Sequence, residues 1–208
     1  MPSEPTARVV IVTRPIDAAT FDRLDRDADI IALCGDSLEV AEPALFEPVL
    51  DRRSLLVVGL DRTSRSFPFA LGMVADVFAV HVESSVTLNP RNPEILTGIG
   101  SRIGREAIRL LFDGPVSIDG RGLCDAGLCD ALVEKSEDSV KWIDSWLGKR
   151  SVLALAAAGR LIRSRGGDVL ERFEFGRLFA AGEPQRGLEK FLKKLPLDFT
   201  GKTIVERL

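Results

Sequence analysis

A single histidine, His81, occurs in 208 residues, so Ser-His-Asp or Cys-His catalysis has one candidate base. It sits inside an apolar run, residues 77–82, which reads as a buried strand and makes it a core histidine. The chain has three cysteines, Cys34, Cys124 and Cys129. They cannot all pair with one another, and a lone Cys-x4-Cys without a neighbouring histidine is a poor metal site. All three are expected to be structural thiols. No apolar stretch approaches the roughly 20 residues needed to cross a bilayer. Residues 1–7 contain no basic segment followed by an apolar block, so no export signal is expected and the expected location is the cytoplasm. A net charge of −3 with both signs mixed along the chain offers no extended basic face, which argues against nucleic acid as a partner. Neither a metal nor a redox cofactor is expected, and the partner that remains is a small molecule.

What is present is enough for one sizeable core: 45% of residues are hydrophobic and 28% charged, at a length too short for two ordinary domains. Residues 8–13 form a β-branched run halted by Arg14-Pro15, and residues 18–24 follow with a helical pattern starting near Asp17. Residues 30–34, 55–60 and 77–82 are further short apolar runs, each too short to be a helix with its own core face. Ser66-Phe67-Pro68 opens a helix, with serine as the expected cap and proline in the first turn. Residues 103–112 keep helical spacing until Asp113-Gly114-Pro115 stops them. From residue 140 to 195 only helical periodicity is seen, and the next strand candidate begins at Thr203. Repeated βα units predict an α/β fold with a mostly parallel sheet and crossover helices. The α/β core is expected over residues 1–135, and a helical region over 136–208.

Several segments, in order, resemble the crotonase (enoyl-CoA hydratase/isomerase) superfamily, from Val9 to about Gly201. Residues 9–15, Val-Val-Ile-Val-Thr-Arg-Pro, are similar to its first strand and Asn-Arg-Pro turn. Residues 38–42, Leu-Glu-Val-Ala-Glu, stand where the family has Ser-Ala-Gly-Ala-Asp. Residues 55–76 overlay its strand, glycine-rich turn and helix without gaps, with Ser66-Phe67-Pro68 in place of three glycines. Pro93-Glu94 matches a Pro-Glu pair, displaced by about four residues; a strict count falls on Pro90. Ile103-Gly104-Arg105 resembles the family's Val-Gly helix, and Ala126-Gly127-Leu128-Cys129-Asp130 its Gly-Leu-Val-Asp ending. Residues 187–194, with Pro196 and Phe199, resemble the terminal helix.

This resemblance implies a crotonase-like (ClpP/crotonase) ββα spiral core, with a C-terminal α-helical region that packs on neighbouring subunits in a homotrimer or hexamer. It also implies that the ligand is an acyl-CoA. The backbone N–H groups of Ala41 and Phe67 would form an oxyanion hole for the thioester oxygen, a role that needs no particular side chain and that suits a helix N-terminus. Glu94 would be the acid/base residue, with Glu83 a weaker substitute. Arg14, Lys190 and Lys194 would meet the CoA phosphates. The family's first catalytic glutamate falls on Ala70, which cannot move a proton. That departure leaves two readings: an enoyl-CoA hydratase/isomerase-like protein that stabilises a thioester enolate, or a catalytically degenerate auxiliary subunit supporting a partner enzyme. A crotonase-fold peptidase ranks last, because it needs a serine at a helix start with histidine nearby.

Overall fold

The computed structural model describes residues 7–35, 38, 41–62, 65–89, 91–103, 114–164, 167–195 and 203–208. Four of the apolar runs are parallel neighbours in one sheet: β1 (Ala7–Val12), β2 (Ile30–Cys34), β3 (Leu55–Leu60) and β4 (Val77–His81). All residues of β2 and β3 are buried. This is why their sequences read as unbroken apolar runs: a parallel sheet covered on both faces removes the need for alternation. Beyond β4 lies β7 (Ala131–Val133), and beyond β1 lies β8 (Thr203–Arg207), giving the order β7-β4-β3-β2-β1-β8. A separate antiparallel pair joins β5 (Ser85–Leu88) to β6 (Val116–Asp119).

The strands are aligned by aspartates just outside them. Asp29, Asp76 and Asp130 accept from the backbone N–H groups of Arg8 (3.0 Å), Leu56 (2.8 Å) and Phe78 (2.7 Å) respectively. Each satisfies a strand-end donor that the ladder leaves free. Asp130, the last residue of the Gly-Leu-Cys-Asp stretch, also takes an ion pair from Arg102 at 2.7 Å.

Successive side chains of a strand point to opposite faces, so each face of the sheet has its own core. Val10, Val12, Ile31, Leu33, Leu56 and Val58 face one layer of helices. That layer holds α1 (Ala18–Asp27), α2 (Phe46–Leu50, preceded by a 3-10 turn at Pro43–Leu45), α3 (Ser66–Val74), α4 (Pro93–Ile103) and α5 (Gly120–Asp125). Val9, Ile11, Ile30, Ala32 and Val57 face the other, where α6 (Ser139–Gly148) and α7 (Val152–Ser164) supply Ile143, Leu147, Leu153 and Ala156. Two further helices, α8 (Asp168–Ala180) and α9 (Glu183–Leu192), follow. Among the described residues no helix is long and apolar enough to cross a membrane.

Two sequence expectations are corrected. Cys124 and Cys129 are not thiols but form a disulfide across the turn after α5; Cys34 is buried outside the disulfide, with its Sγ–H donating to the Val12 carbonyl. Ser66 is not the cap of α3 but its first residue, and Arg65 occupies the cap position without a side-chain cap hydrogen bond. Glu94 lies in the first turn of α4. The strand candidate at Thr203 is β8, which returns to pair with β1 in parallel. Of the helix expected at 103–112, Ile103 is the last residue of α4, and 104–112 lie outside the described residues, as do Pro90, Pro196 and Phe199.

Candidate active site

The site is built on three helix beginnings at one side of the sheet. Asn92 caps α4: its Oδ1 accepts from the backbone N–H groups of Glu94 (3.0 Å) and Ile95 (3.1 Å). This holds Glu94 in the first turn, half-buried. Opposite, the chain leaves β2, passes Ala41 and turns through Pro43–Leu45 into α2. Between these two helices runs a groove of about 360 Å³. Pro43, Ala44, Phe46 and Leu50 form its apolar wall, Pro93 and Thr97 stand on the other side, and Glu47 and Glu94 supply its two carboxylates. Neither carboxylate has an ion-pair or hydrogen-bond partner among the described residues.

Phe67, second residue of α3, packs its ring on that of Phe46 at a centroid distance of 6.3 Å. Its backbone N–H belongs to the first turn, where no intrahelical acceptor exists. Ala41 is buried, and its N–H donates a long bond of 3.3 Å to the carbonyl of Leu38. Glu94 thus faces the groove directly, Phe67 is joined to it through Phe46, and Ala41 through the following Pro43-Ala44.

Ala70, the position of the missing family glutamate, is fully buried where α3 meets α4. The two helices approach so closely that a Cβ on Gly98 would stand 2.8 Å from the Met73 Cβ and 3.4 Å from the Ala70 carbonyl oxygen. Alanine here is a packing residue with no exposed surface.

The remaining expected residues lie elsewhere. Arg14 is exposed just beyond β1. Lys190 is in the last turn of α9, and Lys194 is exposed beyond it with φ 51°. None of the three lines the groove. Glu83 is bridged between Arg62 (2.7 Å) and Lys135 (2.9 Å); the Lys135 hydrogen bond, with the Arg62 charge, holds its carboxyl below the usual range. It borders a different, polar pocket of about 370 Å³ at the carboxyl ends of β3 and β4, which contains Asp61 and His81. There Asp61 accepts from the N–H (2.7 Å) and Oγ (2.9 Å) of Ser139, the first residue of α6, whose cap is Asp138. His81 is buried at the end of β4, as its apolar run predicts, with Nδ1 accepting from the Glu83 N–H at 3.1 Å. Glu47 was not singled out by sequence; its only signal is an acid at the first turn of a short helix rich in proline, which is common.

No protein-family model matches the chain, and no curated protein is matched by it. Solved structures are similar in fold. A putative enoyl-CoA hydratase/isomerase family protein from Hyphomonas neptunium superposes with a TM-score of 0.62 at 17% identity, covering 89% of each chain. An enoyl-CoA hydratase from Bacillus anthracis gives 0.64 at 13% identity, covering 88% of this chain and 86% of its own. Another enoyl-CoA hydratase/isomerase family member gives 0.68 at 14% identity, covering 89% and 85%. The fold is therefore the crotonase fold.

Proposed function

We propose that the chain binds an acyl-CoA thioester and stabilises its enolate, with the thioester oxygen at the N–H groups of Ala41 and Phe67 and Glu94 as the acid/base. The observation that carries this is the groove: an unpaired carboxylate in a helix's first turn, facing an apolar wall that is built directly after Ala41 and whose Phe46 ring packs at a tilt on Phe67. Binding exchanges the weak Ala41 to Leu38 bond for one to a developing oxyanion, which preorganised amides favour. Glu94 then takes the proton from the carbon next to the thioester. Arg14, Lys190 and Lys194 would hold the CoA phosphates, and α8 and α9 would pack on a second and third copy of the chain.

The test is calorimetric binding of acetyl-CoA and butyryl-CoA, together with exchange of the α-protons of butyryl-CoA in heavy water. Binding is expected, with exchange that falls about 100-fold or more in Glu94→Gln and an unchanged Kd. Exchange that persists undiminished in Glu94→Gln removes this residue from the reaction. The auxiliary-subunit reading is favoured by Ala70, whose burial leaves no carboxylate at the family's first position. It is distinguished by thioester binding without any exchange.

A further inference from the structure

We infer that the chain carries a second ligand site on the opposite face of the sheet, a pocket that takes a small carboxylate with an unbranched apolar chain. It lies on the side covered by α6 and α7, away from the acyl groove, and does not depend on the acyl-CoA reading. Its origin is the pairing of β8 with β1. The register sets Val9 beside Val205 and Ile11 beside Arg207, and because side chains alternate between faces these four stand on one side of the sheet. There α6 and α7 cover the central strands, but β8 extends the sheet one strand further, and Val205 is 50% exposed. Between β8 and the end of α6 this leaves a cavity of about 520 Å³, within the roughly 300–1,000 Å³ of small-molecule sites. Val9, Ile11, Leu147, Val152 and Val205 make its wall apolar.

Three charged side chains also line the cavity, Asp144, Arg150 and Arg207, and they select the head of the ligand. Asp144 is already satisfied, since both its oxygens accept from Arg207 Nη2 at 2.7 Å. Arg150 has no ion-pair partner among the described residues. It is nonetheless held in place, its guanidinium 4.4 Å from the centre of the Trp146 ring and its Nη1 donating to the Trp146 carbonyl at 2.8 Å. Two arginines against one aspartate leave the lining positive. A guanidinium matches a carboxylate with two parallel N–H bonds, and one that is already fixed lowers the ordering cost of binding. A cation would be repelled by this lining, and a neutral chain would leave the arginines unused.

The chain's two tryptophans, Trp142 and Trp146, are both on α6, so their fluorescence reports on this place. Octanoate is the probe, titrated into the full chain and followed by tryptophan emission and calorimetry, with octylammonium as the cationic control. Octanoate is expected to bind at a single site and to change the emission as its carboxylate draws Arg150 from the Trp146 ring, and octylammonium to bind more weakly. Arg150→Met, at an exposed position, should raise the octanoate Kd about 10-fold or more, the worth of a charge-assisted hydrogen bond. Val205→Phe, on the edge strand, should remove binding by filling the pocket, with an unchanged circular dichroism spectrum. Failure of octanoate to bind overturns the inference, as does an octanoate Kd unmoved in Arg150→Met or in folded Val205→Phe, or an equal affinity for octylammonium. Displacement of octanoate by acetyl-CoA would place it in the acyl groove and overturn the inference too, while supporting the acyl-CoA reading.

Discussion

At the residue scale, Ala70 and Glu94 show how burial separates two positions on helices that pack together. Ala70 has no accessible surface, and a glutamate there would place an unpaired charge between two tightly packed helices. Ala70→Glu is therefore expected to destabilise the protein by about 3 kcal/mol or more, seen as a lower urea midpoint, and to gain no hydratase activity. Cys34 shows burial acting on a thiol: desolvation, helped by the Asp61 charge, pushes it up to about 12. An exposed thiol titrates at about 8.5. The native state thus keeps a proton that the unfolded chain releases, so this contribution to stability is complete below about pH 8.5 and is lost as pH rises to about 12. The stability advantage of wild type over Cys34→Ala should shrink between pH 8 and pH 11 in urea titrations, and native Cys34 should resist alkylation at pH 8.

At the element scale, the first turn of α4 decides where Glu94 stands. Asn92→Ala removes the acceptor for two N–H groups and is expected to cost about 0.5–2 kcal/mol, measured by urea unfolding, with weaker α-proton exchange because the turn that carries Glu94 loses its anchor. The contact of α3 with α4 depends on Gly98. Gly98→Ala puts a methyl within 2.8 Å of the Met73 Cβ, which is not a flexible chain end, so the helices must part. A loss of about 1–3 kcal/mol is expected from such overpacking, visible in the thermal midpoint. Displacement of α4 would also shift Glu94 relative to Phe67, so activity should fall further than stability alone accounts for.

At the scale of the whole molecule, most of the large apolar residues of α8 and α9 remain uncovered. Phe173 and Phe191 are 62% and 76% exposed, and Phe175, Leu188 and Leu192 are also exposed. α8 is nonetheless anchored: Glu174 is buried against Arg160, which also reaches Asp29 next to β2. The Arg160 hydrogen bonds hold the Glu174 carboxyl below its ordinary value. Exposed apolar area of this kind, on anchored helices, is what a subunit interface covers. Light scattering after size exclusion is expected to give the mass of three or six chains, and Phe191→Glu to give smaller species. A monomeric wild type would show that these helices do not assemble the protein in this way.

The strands β1 to β4 were legible because a parallel sheet buried on both faces demands short, unbroken apolar runs, and residues 8–13, 30–34, 55–60 and 77–82 have little else to become. The helix after Ser66, the buried His81 and the βα order followed from the same local patterns, whereas the crotonase fold was implied by the resemblance of several ordered segments to that family. The short strands β5, β6 and β7 were not legible, since three or four residues carry too little periodicity, and β8 declared only its own run, not its partner. Its pairing with β1 joins residues nearly 200 positions apart, which no local pattern encodes. The same holds for the site. Pro93-Glu94 could be singled out by its motif, but that it shares one groove with the wall of Pro43, Ala44, Phe46 and Leu50 is decided by the tertiary structure. The cysteines make the point in reverse: five residues of spacing permit either thiols or a bond, and the turn after α5 brings Cys124 and Cys129 together. Side-chain patterning along the chain thus set the elements, while long-range packing decided which of their residues meet.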